Sequence, residues 1–126
     1  MHKNGGFFSS LRNAFSGLKK CITSEDNAKF HLVATLLVIA FALLFRLSTT
    51  EWLFIMLAVS LVWITELFNT AIEYLFDVSH PEIDPRVKYA KDISAGAVLV
   101  AAIFSVMVGV LIFGPPLFET IANLFS

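Results

Sequence analysis

The chain has 126 residues, a formal net charge of −1, 57% hydrophobic and 15% charged residues, and 13 Phe. That hydrophobic share, counted without Gly, already exceeds the roughly 45–50% of soluble domains, which includes it. The composition is that of a membrane protein of one domain, no nucleic-acid partner is expected, and the lone Cys21 excludes an intrachain disulfide.

In chain order, residues 7–22 read as an amphipathic helix. Phe7, Phe8, Leu11, Phe15, Leu18 and Ile22 recur at spacings of three and four, with Arg12, Asn13, Ser16, Lys19 and Lys20 opposite. Such a helix lies flat among lipid headgroups, packs on a transmembrane bundle, or does both. Residues 1–29 hold no apolar core of signal-peptide length, so no cleaved leader is expected. Thr23-Ser24-Glu25-Asp26-Asn27 is a break with helix-start character. Thr23 or Ser24 can cap, and the acids complement the positive end of the next helix. Lys29 and His31 follow, and His31 reads as a polar anchor at the membrane edge.

The first span is expected over 30–47. It is short for a hydrocarbon core of about 30 Å, and Lys29 and Arg46 can snorkel to extend it. A turn at 46–51 leads to a second span over 52–76, anchored by Trp52. Residues 78–90 read as a polar connection broken by Pro81 and Pro85. The third span is expected over 92–113, stopped by Gly114-Pro115-Pro116, with a short apolar-polar tail beyond. Along it Lys91, Ala95, Val98, Ala102, Ser105 and Gly109 form a line suited to close helix packing.

Lys3, Arg12, Lys19, Lys20 and Lys29 precede the first span, and Arg86, Lys88 and Lys91 lie between the second and third. Arg46 alone lies in the other loop. This asymmetry puts the N-terminus and the 78–90 connection in the cytoplasm and the C-terminus outside, in the inner membrane. The expected fold is all-α: an N-terminal amphipathic surface helix plus three transmembrane helices, one integral-membrane domain over 1–126.

The second span ends on an expensive face. Glu66, Asn69, Thr70, Glu73 and Asp77 fall within an arc of roughly 100° at 100° per residue. A carboxylate near mid-membrane costs about 3 kcal/mol on insertion scales, so several on one face mark a site. A side-chain hydrogen bond between helices accounts for one such residue and not five. Glu66 stands about 20 Å below Trp52, and Glu73 about 10 Å nearer the cytosol, at ~1.5 Å per residue. Glu25, Asp77 and Lys91-Asp92 meet at the same surface. Carboxylates beside a lysine at a wet rim suit Mg²⁺ with phosphates. A deeper, desolvated Glu suits a general base for a hydroxyl presented from lipid. Phosphoryl transfer needs mainly positioning and charge neutralisation. No P-loop or protein-kinase motif is present.

Glu66-Leu67-Phe68-Asn69-Thr70-Ala71-Ile72-Glu73 with Asp77 resembles the signature of the small prokaryotic diacylglycerol kinases and undecaprenol kinases. Lys91-Asp92-Ile93-Ser94-Ala95-Gly96-Ala97-Val98 resembles that family's second motif, and Glu25-Asp26-Asn27-Ala28-Lys29-Phe30-His31 its first. A departure is Ala28-Lys29-Phe30, where relatives usually carry an aromatic, Arg and an aliphatic. The resemblance implies a homotrimer with composite sites between subunits, using ATP and Mg²⁺ on a membrane lipid alcohol. It makes Glu66 the catalytic base and Glu25 and Glu73 the metal ligands. Lys91 would contact ATP phosphate, with Asp77 and Asp92 supporting the nucleotide site. Asn69 would orient the reacting groups, and Thr70 and Ser94 are further candidates on the substrate side. The wording of the motifs is closer to the undecaprenol kinase branch, with diacylglycerol the alternative substrate. A small oligomeric ion or proton pathway would also use Glu66 and Glu73, but leaves Glu25 and Lys91-Asp92 without a task.

Overall fold

A computed structural model describes residues 5–79 and 84–126 as four helices, with no strand among them. They are α1 (Phe7–Ser24), α2 (Asp26–Leu44), α3 (Thr49–Ser79) and α4 (Pro85–Leu124). The last three are long and apolar enough to cross a membrane.

α1 runs further than its apolar periodicity indicates. Thr23 and Ser24 do not cap α2. Their hydroxyls donate back to the carbonyls of Lys19 and Lys20, which keeps both residues in the last turn of α1. The break is Glu25 alone, in extended conformation at φ −110° and ψ 124°, and its side chain makes no capping bond. Of α1 only Cys21 is buried; Phe7, Phe8 and Phe15 stand exposed, while the C-terminal end of the helix packs on α2 and α3.

α2 ends at a tight reversal. Arg46 takes the left-handed conformation at φ 53°, Leu47 N–H donates to Ala42 carbonyl, and Arg46 N–H to Leu43 carbonyl. That pair of bonds is a Schellman stop. A non-glycine residue in this conformation costs about 1–2 kcal/mol. Leu47 then packs on the buried core of Ile55, Ala58 and Val108. Ser48 Oγ accepts from Glu51 N–H at 3.2 Å, and Glu51 Oε1 accepts from Ser48 N–H at 2.9 Å. This reciprocal capping box starts α3 within a few residues of the end of α2.

The prolines act differently from their reading as breakers. Pro85 is the first residue of α4, where a missing N–H costs nothing, and Asp84 caps the helix by accepting from Arg86 N–H at 2.8 Å. The helix therefore begins well before the expected start of the span at 92, and of the 78–90 connection residues 80–83 lie outside the described residues. Pro115 and Pro116 do not stop α4, which continues to Leu124. They forfeit the bonds that residues 115 and 116 would make one turn back. Gly114 has no Cβ to meet the Pro115 ring, which removes part of the clash that makes a pre-proline residue leave the helix. At 40 residues and ~1.5 Å each, α4 is about 60 Å long and overhangs a ~30 Å hydrocarbon core.

α3 and α4 form the main packed pair. Ile55, Val62 and Asn69 recur every seven residues on α3, and Ser94, Ala101 and Val108 do so on α4. The buried line on α4 is thus Ser94, Ala101 and Val108, one position before the expected Ala95, Ala102 and Gly109; Ala95 is exposed. Lys91, Val98 and Ser105 belong to both lines and are half-buried. Both lines repeat every seven residues, and the packing on α3 takes the one that carries Ser94, whose hydroxyl bonds Asn69. Lipid tails are as apolar as Leu, so these contacts hold by close van der Waals approach rather than by exclusion of water. α2 presents Ala28, His31, Thr35, Val38 and Ala42 inward, with Ala28 and Ala42 fully buried. At Ala28 the small side chain is wholly covered where α2 meets its neighbours.

Candidate active site

Three of the expected site residues are buried on α3: Glu66 at 2% exposure, Asn69 at 7% and Thr70 at 7%. They point to different neighbours. Asn69 faces α4, where Ser94 Oγ donates to Asn69 Oδ1 at 2.6 Å and approaches the Lys91 carbonyl at 2.9 Å. Asn69 Nδ2 donates in turn to Glu73 Oε1 at 3.2 Å. A single line of side-chain contacts therefore joins Ser94, Asn69 and Glu73. Because Ser94 and Glu73 fix both ends of the amide, its orientation is determined.

Thr70 turns away from this line. It faces α1 and lies 3.8 Å from Cys21 Sγ. The structure thus brings Thr70 to the α1–α3 contact and not to the Asn69–Ser94 pair.

Glu25 and Glu73 come from different helix ends. Tyr74, the residue after Glu73, donates its hydroxyl to Glu25 Oε1 at 3.3 Å, which holds the start of α2 against the C-terminal part of α3. Each carboxylate uses Oε1 in these contacts, which leaves Oε2 for a further ligand. Among the described residues no three His, Cys, Asp or Glu side chains converge as a metal cluster within one chain. A site for Mg²⁺ with phosphates needs only one or two carboxylates, so acceptor-only Glu25 and Glu73 fit that role.

The remaining expected residues form ion pairs at the same end. Lys91 Nζ is 2.7 Å from Asp77 Oδ1, and Lys88 Nζ is 2.8 Å from Asp92 Oδ2. Lys91 ties α4 to the end of α3. Asp92 is held one turn along its own helix, on a different side from Lys91. Lys88 and Arg86 precede the apolar stretch that begins at Ile93. Hydrogen bonding and charge from Asp92 raise the pKa of Lys88, and Asp84 raises that of Arg86 in the same way. Both cations therefore stay charged throughout the physiological range.

Glu66 is one helical turn deeper than Asn69. Its Oε2 is fully buried and has no hydrogen-bond partner among the described residues. Its nearest charged or titratable neighbour is His31, whose Nε2 lies 3.6 Å from that oxygen. The sequence reading of His31 as an edge anchor is not what the fold does with it: the side chain is 15% exposed and turned inward to Glu66. The signal was in the spacing, since His31 falls in the inward series Ala28, Thr35, Val38 and Ala42.

A groove of 380 Å³ opens between α3 and α4 on the other side of Asn69. Thr65, Asn69 and Ser94 supply its polar edge, and Phe68, Ile72 and Ile93 its apolar wall.

The family model described as prokaryotic diacylglycerol kinase matches residues 12–113. The chain is 39% identical to an undecaprenol kinase of Bacillus subtilis, over 92% of this chain and 96% of that protein. It is 38% identical to a diacylglycerol kinase of Synechocystis, over 86% of this chain and 62% of that longer protein. Membership in a kinase family leaves the ion-pathway reading without support. The chain belongs to the prokaryotic diacylglycerol kinase family and is a membrane-spanning lipid kinase.

Proposed function

We propose that the chain transfers the terminal phosphoryl group of ATP to the hydroxyl of undecaprenol, at the cytoplasmic face of the inner membrane and as a homotrimer. The observation that carries the choice of lipid is the match along 96% of an undecaprenol kinase, against 62% of a diacylglycerol kinase. The groove at Asn69 and Ser94 supports it. Diacylglycerol brings two ester carbonyls that need donors, and on that wall the hydroxyls of Thr65 and Ser94 already donate to the Leu61 carbonyl and to Asn69 Oδ1. The second reading is diacylglycerol, favoured by the 38% identity to the cyanobacterial enzyme.

In this reading Glu66 is the base. Its Oε2, buried and without a hydrogen-bond partner among the described residues, would take the proton of a hydroxyl that reaches it, as the lipid oxygen attacks phosphorus and ADP leaves. Asn69, fixed by Ser94 and Glu73, orients the reacting groups, with Ser94 shaping the substrate side; Thr70, turned to Cys21, has no part there. Lys91 exchanges Asp77 for a phosphate of ATP, while Asp77 and Asp92 support the nucleotide. Glu25 and Glu73 would hold Mg²⁺, which offsets the charge of the phosphates.

The placement of the three spans supports N-terminus in and C-terminus out, because Arg46 is the only Lys or Arg on the α2–α3 side. A polar end too costly to leave against lipid supports assembly into the trimer.

The test is kcat/KM for both lipids in the same mixed micelles. A polyprenol is recognised largely by apolar area, so a preference of about tenfold to a hundredfold for undecaprenol is expected. A higher value for diacylglycerol would reverse the choice of lipid while leaving the kinase in place.

A further inference from the structure

His31 is the one titratable side chain of α2 that faces the buried end of Glu66. The imidazole Nε2 is 3.6 Å from Glu66 Oε2, with the two side chains 15% and 3% exposed. That gap is beyond a hydrogen bond and short for a charge interaction in a poorly polarisable setting. The imidazole is also held. The Trp63 ring stands edge-on to it with centroids 6.3 Å apart, and Phe30 does so at 5.8 Å. Trp63 Nε1 donates to Thr35 Oγ1 at 2.9 Å, and Thr35 Oγ1 donates to the His31 carbonyl at 2.7 Å. A bond between α2 and α3 therefore fixes the turn that carries His31, one turn from Glu66.

Among the described residues, other charges reach this level from no direction. α4 has no ionisable side chain between Asp92 and Glu119, and Lys91 is engaged by Asp77. α1 brings Cys21, which faces Thr70. Glu73 lies two turns away on α3 and bonds Asn69, Tyr74 bonds Glu25, and Lys29 on α2 is paired with Asp26. The immediate electrostatic surroundings of the Glu66 carboxylate therefore reduce to His31.

We propose that His31 is a positioning residue for Glu66, its held imidazole fixing the aim of the buried carboxylate from 3.6 Å while making no hydrogen bond to Oε2. This rests on the reading of Glu66 as the base. A carboxylate whose packed neighbour is removed can leave its productive rotamer, and a base displaced by about an ångström loses rate. Loss of the imidazole therefore acts on turnover and leaves nucleotide binding alone.

The experiment uses full-length protein in detergent, with labelled ATP and undecaprenol, and the variants His31→Gln, Glu66→Gln and Glu73→Gln. Folded His31→Gln is expected to lose about tenfold to a hundredfold in kcat, the scale of a misplaced catalytic group. Its KM for Mg-ATP stays within about twofold. In parallel, ¹⁵N-histidine NMR follows His31 among the three histidines of the chain. Glu66→Gln should displace the His31 ring signals and Glu73→Gln should not. A folded His31→Gln enzyme with wild-type kcat overturns the proposal. Should His31→Gln fail to fold, the NMR comparison decides: unchanged His31 signals in Glu66→Gln overturn it. Absence of phosphoryl transfer by the wild type would instead defeat the kinase reading, and the NMR arm still tests the pair by itself.

Discussion

Ser94 on α4 and Asn69 on α3 meet through a 2.6 Å hydrogen bond, and both are buried. The bond serves two purposes: it joins the two longest helices, and it fixes the amide that reaches Glu73.

Ser94→Ala separates the two. Hydrogen bonds between membrane helices average ~0.6 kcal/mol and reach about 1.7, so the melting temperature should fall by no more than a few degrees. Turnover should fall by about tenfold, because the Asn69 amide is then free to rotate from its productive geometry. A thermal melt and a kcat measurement on the same sample check this. Unchanged turnover would make the bond purely structural.

Glu25→Gln and Glu73→Gln should each raise the Mg²⁺ concentration for half-maximal rate and weaken ATP together, if both carboxylates hold the metal at the nucleotide end. A Mg²⁺ titration of the rate, run with a thermal melt, separates this from a fold defect. Lost turnover at unaltered Mg²⁺ dependence would assign these acids to the helix junction held by Tyr74.

Subunit mixing tests the trimer and the sharing of sites. Inactive Glu66→Gln chains co-assembled with inactive Glu25→Gln chains should regain activity, through sites that draw one intact residue from each chain. Chemical cross-linking counts the subunits. Recovery of nothing in mixed oligomers would place both residues in a single chain's site.

The three spans were legible because an apolar run of ~20 residues matches the thickness of a bilayer core and exceeds what a small soluble domain can bury. The polar face of α3 was legible because five costly residues share one arc. Helix ends were not. Pro85 opens α4 and Pro115-Pro116 sit inside it, since a proline's effect depends on whether its missing N–H is needed at that position. Thr23 and Ser24 carry capping side chains but bond backward into α1. His31 and Thr70 mark how far helical phase reaches into the site. Phase ranks residues by face, and only the packed arrangement sends Glu66 to His31, Asn69 to Ser94 and Thr70 to Cys21. For His31 two signals compete: its place at the membrane edge points outward, and its spacing from Ala28, Thr35 and Val38 points inward. The spacing wins, because α2 turns that whole series toward α3 and α4.

Glu66 is the residue on which the catalytic reading turns. The decisive measurement is transfer of labelled phosphate from Mg-ATP to undecaprenol by wild-type and Glu66→Gln protein, with ATP binding followed by calorimetry on both. Glu66→Gln should lose nearly all turnover, at least the roughly hundredfold expected for a general base, while binding Mg-ATP within a few fold of wild type. A Glu66→Gln enzyme that keeps a tenth of wild-type turnover would contradict the assignment of Glu66 as the base.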